Sequence, residues 1–146
     1  MENLLYQQVK ALTENEKDLI ANLSNISACL NENLDRINWV GFYIVKEGEL
    51  VLGPFQGKPA CIRIPFGKGV CGTCVEERKI QRVADVHKFK GHIACDSASN
   101  SEIVLPIIKN NEVVAVLDID SPIFKRFSEE DEKQLSEVAD YITNLF

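Results

Sequence analysis

Two apolar runs, 103–108 and 113–120, are separated by only four residues, Lys109-Asn110-Asn111-Glu112. So short a connection permits only antiparallel strands joined by a tight turn. A second pair of predicted strands, 37–45 and 50–53, is joined by a similarly short polar turn. Two shorter strands are predicted at 60–65 and 80–83. The middle of the chain therefore favours an antiparallel sheet.

Helical periodicity brackets these strands. Apolar residues recur at helical spacing over 16–34 and again over 128–145, where Ser128 has the side chain and position of an N-cap. Two shorter helices are predicted, one at 4–12 that we expect to be peripheral and one at 67–78 after a glycine turn. Terminal helices around a central sheet predict an α+β fold with those helices packed on one face and loops on the other.

Composition limits what such a domain can do. The 146 residues fit a single domain, residues 1–146, and the net charge of -6 argues against a nucleic-acid partner. No apolar run is long enough to predict a membrane span, and residues 1–4 lack a signal-peptide pattern, so we expect a cytoplasmic protein. Thiols are reduced there, so the five cysteines indicate chemistry or metal binding more than structural bridges.

The segment 91–102 has neither a strand's alternation nor a helix's apolar stripe, and it places Cys95 among small hydroxyl and amide side chains. Backbone N–H groups and hydroxyls in such a loop can favour a thiolate. We therefore predict that Cys95 is a nucleophile. Cys61 and Cys71 lie in segments expected to reach the same face, so a second thiol could close a disulfide after an oxidised sulfur has been attacked. A reductant such as thioredoxin would then restore the thiols.

Alternation predicts what surrounds this thiol. Trp39 and Tyr43 flank Gly41 on one strand face and are expected to leave a flat-walled recess for a small apolar group. Further along the chain, three acids are expected near the loop: Glu102, Asp118 and Asp120. Like charges in partly desolvated surroundings should hold a proton near neutral pH, which could be given to a departing oxygen, while the remaining carboxylates would suit an ammonium group. A free amino acid with an oxidised sulfur meets these demands.

Five segments together resemble the free methionine-(R)-sulfoxide reductases, which are GAF-type domains. They are Gly67-Lys68-Gly69-Val70-Cys71-Gly72-Thr73, Gln81-Arg82-Val83-Ala84-Asp85-Val86, Gly91-His92-Ile93-Ala94-Cys95-Asp96, Ser99-Asn100-Ser101-Glu102-Ile103-Val104-Leu105-Pro106 and Val116-Leu117-Asp118-Ile119-Asp120-Ser121. The resemblance covers nearly the whole chain. It implies a six-stranded antiparallel sheet, a substrate pocket closed by loops, a homodimer, and no cofactor or metal.

The resemblance also implies roles for individual residues. Cys95 matches the catalytic cysteine, Cys61 the principal resolving cysteine and Cys71 a third redox cysteine. Trp39 and Tyr43 match residues that receive the methyl end of the substrate. The pocket acids match Glu102, Asp118 and Asp120, which bind the sulfoxide oxygen and the ammonium group. Cys29 and Cys74 fall outside this pattern and are expected to be bystanders.

Two alternatives remain open from the sequence. Cys71-Gly72-Thr73-Cys74 has the Cys-x-x-Cys spacing of zinc sites, and a four-ligand set could be completed from neighbouring residues: Cys61, Cys95, His87 and His92. A non-catalytic GAF sensor that binds a small ligand is the other alternative, and binding without turnover would distinguish it.

Overall fold

The structure is a computed structural model that describes residues 2–93, 95 and 97–146. Its helices are α1 (Leu4–Thr13), α2 (Leu19–Asn33), α3 (Gly69–Glu77) and α4 (Glu129–Thr143). Its strands are β1 (Trp39–Lys46), β2 (Glu49–Gly57), β3 (Arg63–Pro65), β4 (Gln81–Val83), β5 (Ser101–Lys109) and β6 (Glu112–Ser121). A 3-10 turn, Val86–Lys88, precedes the loop that carries Cys95.

The six strands form one antiparallel sheet in the order β3-β2-β1-β6-β5-β4. Both predicted hairpins are present. Asn110 and Asn111, between β5 and β6, have φ values of 53° and 67°, and Glu47 and Gly48, between β1 and β2, have 52° and 81°. Two consecutive positive φ values match the right-handed twist of the strands, which fixes each register.

One face of the sheet is covered by α1, α2 and α4, which enclose the larger apolar core. Asp18 caps α2, and Ser128 with Asp131 forms a capping box at the start of α4. The expectation that α1 is peripheral is wrong. Leu5 and Val9 are buried in this core, between α2 and α4. Among the helices in the described part of the chain, none combines the length and apolar character needed to cross a bilayer.

The other face carries a smaller core beneath α3 and the connection between β2 and β3. The strand predicted at 60–65 is shorter than expected, since β3 begins at Arg63 and Cys61 lies in the connection. The Cys61 carbonyl accepts a hydrogen bond from the Tyr43 hydroxyl at 2.9 Å, so it is bonded to a side chain and not to a neighbouring strand. This hydrogen bond holds the Cys61 backbone above β1.

Candidate active site

A pocket lies between this second sheet face and the segments that cover it. Its floor comes from β1, β5 and β6, and its cover from α3 and the loop containing Cys95. Seven of the predicted site residues line it: Trp39, Tyr43, Cys71, Cys95, Glu102, Asp118 and Asp120. The eighth, Cys61, is bonded to Cys95. The structure thus brings together residues that lie up to 81 positions apart in the sequence.

Sheet register explains this convergence. Asp120 lies opposite Trp39 on β1 and opposite Glu102 on β5, so the three form one row across three neighbouring strands. Asp118 lies in the next row on the same face, opposite Gly41. Because side chains alternate along a strand, all of these point into the same pocket.

The three acids sit in surroundings that oppose charge. Glu102 and Asp118 are buried, and burial raises the pKa of both carboxyls, well above the usual range for Glu102. Burial, followed by repulsion from Asp118, also raises the pKa of Asp120 well above its usual range. Within the described residues, the Oδ1 atoms of Asp118 and Asp120 are buried without a hydrogen-bond partner. Burial therefore favours the protonated forms of these carboxyls and leaves two buried oxygen atoms as unused acceptors.

Aromatic rings form one wall of the pocket. The ring centroids of Trp39 and Tyr43 are 5.9 Å apart, and Phe55 stacks on Trp39 with a centroid distance of 5.1 Å. The prediction of an open recess over Gly41 is wrong. A Cβ at this position would lie 2.7 Å from the Phe55 Cα and 2.8 Å from the Pro54 carbonyl oxygen, at an irregularity in the pairing of β1 with β2. Gly41 allows close backbone approach, and the apolar surface is supplied by the two stacked rings.

Cys61 and Cys95 form a disulfide with a Cα–Cα distance of 5.4 Å, and both residues are half-buried. This is the pair that the resemblance assigned to resolution and catalysis. The disulfide joins the β2–β3 connection to the loop after the 3-10 turn. With it in place, the cavity volume of the pocket, which is partly open to solvent, is about 40 Å³, room for water but not for a whole amino acid.

Cys71 is buried on the first turn of α3, beside the acids. Its Sγ and carboxylate oxygens of Glu102 and Asp118 all lie within 4.8 Å of one another. Burial, followed by the Asp118 charge, raises the pKa of the Cys71 thiol well above its usual range, so the group is a thiol at neutral pH. Of the described residues, these three could approach a metal ion together.

The alternative zinc site at the Cys-x-x-Cys sequence is wrong in its ligand set. Cys74 is not grouped with Cys71 as a metal ligand among the described residues, and its buried Sγ donates to the Val104 carbonyl oxygen at 3.7 Å. Cys61 and Cys95 are consumed by their disulfide. Cys29, on α2, lies in the core on the opposite sheet face. Cys74 and Cys29 are therefore outside the pocket lining.

Sequence reasoning missed Ser99 and underestimated His92. Ser99 is buried in the pocket lining and donates to Asp120 Oδ2 at 3.1 Å, while its own Oγ accepts from Asn38 Nδ2 at 3.1 Å. His92, which the sequence suggested as a possible zinc ligand, lines the pocket, and its Nδ1 is buried without a partner among the described residues. Burial lowers the pKa of His92, which favours a neutral ring. The hydroxyl-rich loop composition was the available signal for Ser99.

The sequence that forms this fold and pocket matches a known protein family. Residues 16–146 match the family model of the GAF domain, and the chain belongs to the GAF domain family. This confirms the predicted fold.

Relatives narrow the assignment. The chain is 55% identical over 134 residues to the free methionine-R-sulfoxide reductase of Escherichia coli, covering 92% of this chain and 81% of that protein. It is 58% identical to Protein YtsP of Bacillus subtilis, covering 94% and 85% of the two chains. The structure of fRMsr of Staphylococcus aureus in complex with substrate superposes with a TM-score of 0.93 at 57% identity, over 97% of this chain and 93% of that one. Within the GAF family, the chain belongs with the free methionine-R-sulfoxide reductases.

Proposed function

We propose that the protein reduces free L-methionine (R)-sulfoxide to methionine with Cys95 as nucleophile and Cys61 as resolving thiol. The observation that carries this proposal is the Cys61–Cys95 disulfide placed directly against a pocket of buried acids and stacked aromatic rings. A disulfide at such a position is the oxidised end of a thiol-dependent reduction. It also argues for turnover in place of ligand sensing alone.

The chemistry of the pocket matches the substrate part by part. The unpartnered oxygens of Asp118 and Asp120 suit an ammonium group. The stacked rings of Trp39 and Tyr43 suit the methyl end. Lys68 lies in the lining at the start of α3, and its positive charge, together with the positive end of the helix dipole, suits the substrate carboxylate. Recognition of both charged groups would exclude a methionine sulfoxide within a peptide.

In the first step, the Cys95 sulfur attacks the sulfoxide sulfur and a protonated pocket carboxyl, Glu102 in our proposal, donates to the oxygen. The oxygen moves to Cys95, methionine leaves, and a sulfenic acid remains. The Cys61 thiol then attacks this sulfenic acid, releasing water and forming the disulfide. Two electrons pass from the two thiols to the substrate, so the reaction balances without a metal or cofactor.

The small volume of the pocket supports an assignment of the disulfide form to one stage of the reaction cycle. A volume of about 40 Å³ leaves no room for methionine sulfoxide, so the oxidised form corresponds to an enzyme that has released its product. Breaking the disulfide frees the cover from the β2–β3 connection and allows substrate to enter. We therefore expect the reduced form, and not the oxidised form, to bind substrate.

The proposal extends to the cellular setting. Each turnover requires two electrons, which thioredoxin would supply in the reducing cytoplasm under oxidative stress. The family resemblance supports a homodimer, with residues 1–146 of each chain acting as one domain. Cys71 is a reserve thiol in this scheme. Its raised pKa makes it a weak nucleophile as long as no substrate is bound to the neighbouring acids.

A single-turnover experiment tests the assignment. Reduced protein is mixed with each diastereomer of methionine sulfoxide, free or within a peptide, and the methionine formed is quantified without added reductant. Wild-type protein should form about one methionine per chain from the free (R) form. Cys95→Ser should form none, Cys61→Ser about one followed by a stall, and Cys29→Ser should match wild type. Equal loss of the first turnover in the Cys61 and Cys95 variants would contradict the division of roles.

A further inference from the structure

Large apolar side chains remain exposed in the two segments that the disulfide joins. Ile62, next to Cys61, is 68% exposed, the highest value among the exposed large apolar residues described. Phe66, in the turn after β3, is 38% exposed, and Ile93, two residues before Cys95, is 37% exposed. Three exposed large apolar side chains in the segments joined at one reactive bond are a feature that a docking partner would cover.

Charge is distributed unevenly in the same part of the molecule. The segments 50–75 and 86–95, which carry the two cysteines, contain five Lys or Arg residues and no Asp or Glu. The rest of the chain contains 11 Lys or Arg residues and 22 Asp or Glu residues. Lys58 and Lys90 are exposed, whereas Arg63 is partly neutralised by Glu49 at 2.7 Å. The two segments joined by the disulfide are therefore locally basic in a chain of net charge -6, with the Glu76 carboxylate against Gly67 as a nearby acid.

These two segments form one surface. The disulfide holds their Cα atoms 5.4 Å apart, and the Gly69 N–H donates to the Gly91 carbonyl oxygen at 3.0 Å. The Ile93 side chain lies over Gly69, where an added Cβ would be 3.3 Å from Ile93 Cγ1. The disulfide, this hydrogen bond and this side-chain contact thus hold the two segments, with their exposed apolar and basic residues, next to each other.

We propose that this reductant surface, defined by Lys58, Ile62, Phe66, Lys90 and Ile93, docks a protein dithiol reductant whose reactive cysteine is set in an apolar patch with an acidic rim. The inference rests on the proposed function, since it requires a disulfide that is reduced in every cycle. A small thiol needs no apolar platform of this size, whereas a protein reductant must bury one to align its sulfur with the disulfide. The basic residues would speed encounter with an acidic partner.

The exchange at this surface is balanced. A thiolate of the reductant attacks the Cys61 Sγ, the Cys61–Cys95 bond breaks, and Cys95 leaves as a thiolate. The second thiol of the reductant then attacks the mixed disulfide, which releases Cys61 and leaves the reductant oxidised by two electrons. Attack at Cys61 is favoured by its position beside Ile62, the most exposed apolar side chain of the surface.

The test compares two electron donors in steady-state turnover of the free sulfoxide. One is a bacterial thioredoxin of net negative charge with its reductase and NADPH, and the other is dithiothreitol. Ile62→Ser and the double variant Lys58→Glu/Lys90→Glu should each raise the half-saturating thioredoxin concentration about fivefold or more, as for a residue central to an interface. Their rates with dithiothreitol should stay unchanged. Ile20→Ser, which alters an Ile that is 56% exposed on α2, and Lys17→Glu should match wild type with both donors.

Further measurements separate the competing explanations. Raising salt should weaken thioredoxin saturation in wild type and much less in Lys58→Glu/Lys90→Glu. A thioredoxin with its resolving cysteine replaced should be trapped on Cys61. Three results would overturn the inference. They are equal defects of Ile62→Ser with both donors, wild-type turnover with dithiothreitol but not with thioredoxin, and occupation of the surface by a second copy or by anionic vesicles. Absence of turnover with either donor would instead refute the proposed function.

Discussion

Reduction of the Cys61–Cys95 disulfide should lower the stability of the protein by an amount set by the length of chain it closes. The two cysteines are 34 positions apart, and the connected segment includes β3, α3 and β4. Loop-closure entropy for a span of this length corresponds to about 4 kcal/mol at 25 °C. With the unfolding entropy typical of a chain of this size, the melting temperature should fall by about 12 °C on reduction.

Calorimetry of the oxidised protein and of the same sample in excess dithiothreitol measures this difference directly. Cys61→Ala and Cys95→Ala should show no redox-dependent shift and should melt near the reduced wild type. Cys29→Ala removes a buried thiol but leaves the disulfide, so it should keep the full shift whatever its own melting temperature. A shift below about 3 °C in wild type would show that the cross-link restricts the unfolded chain far less than its span requires. A shift that persists in both active-site variants would refute the pairing.

Three further predictions concern the pocket. Burial raises the pKa of Glu102, so the contribution of this carboxyl to stability is fully present below its unfolded pKa of about 4.3 and is lost as the pH rises. Glu102→Gln has no such loss, so its melting temperature minus that of wild type should increase between pH 5 and pH 8. Gly41→Ala places a methyl group against the Phe55 backbone and should cost about 2 kcal/mol in urea unfolding. Tyr43→Phe removes the hydrogen bond to the Cys61 carbonyl, and it should cost about 1 kcal/mol in the same assay and slow disulfide closure after the first turnover.

Matched variants control for general effects of substitution. Glu112→Gln changes an exposed carboxyl at the start of β6 and should not alter the pH dependence of melting. Gly53→Ala meets its nearest neighbours at 3.1 Å and should cost less than Gly41→Ala. A pH-independent difference for Glu102→Gln, or equal costs for the two glycines, would contradict the burial and packing arguments respectively.

Local sequence was sufficient for the elements whose formation depends on near neighbours. The Asn110-Asn111 turn needs two residues that tolerate positive φ, and Ser128 with Asp131 forms its capping box within four positions. Strand alternation likewise placed Asp118 and Asp120 on one face before their partners were known. The amount of α1 in the core was not visible, because its amphipathic pattern does not reveal which neighbours will cover Leu5 and Val9.

The sequence by itself determined the turns, the caps, the strand faces and, through its family resemblance, the residues to examine. Only the tertiary structure decided that Glu102 and Asp120 share a row with Trp39, that Phe55 fills the space above Gly41, and that the oxidised pocket has a small volume. These features depend on strand order and register, which join residues far apart in the chain. Local periodicity carries no information about which distant strand becomes a neighbour, so the electrostatics and volume of the pocket emerge only when the sheet is assembled.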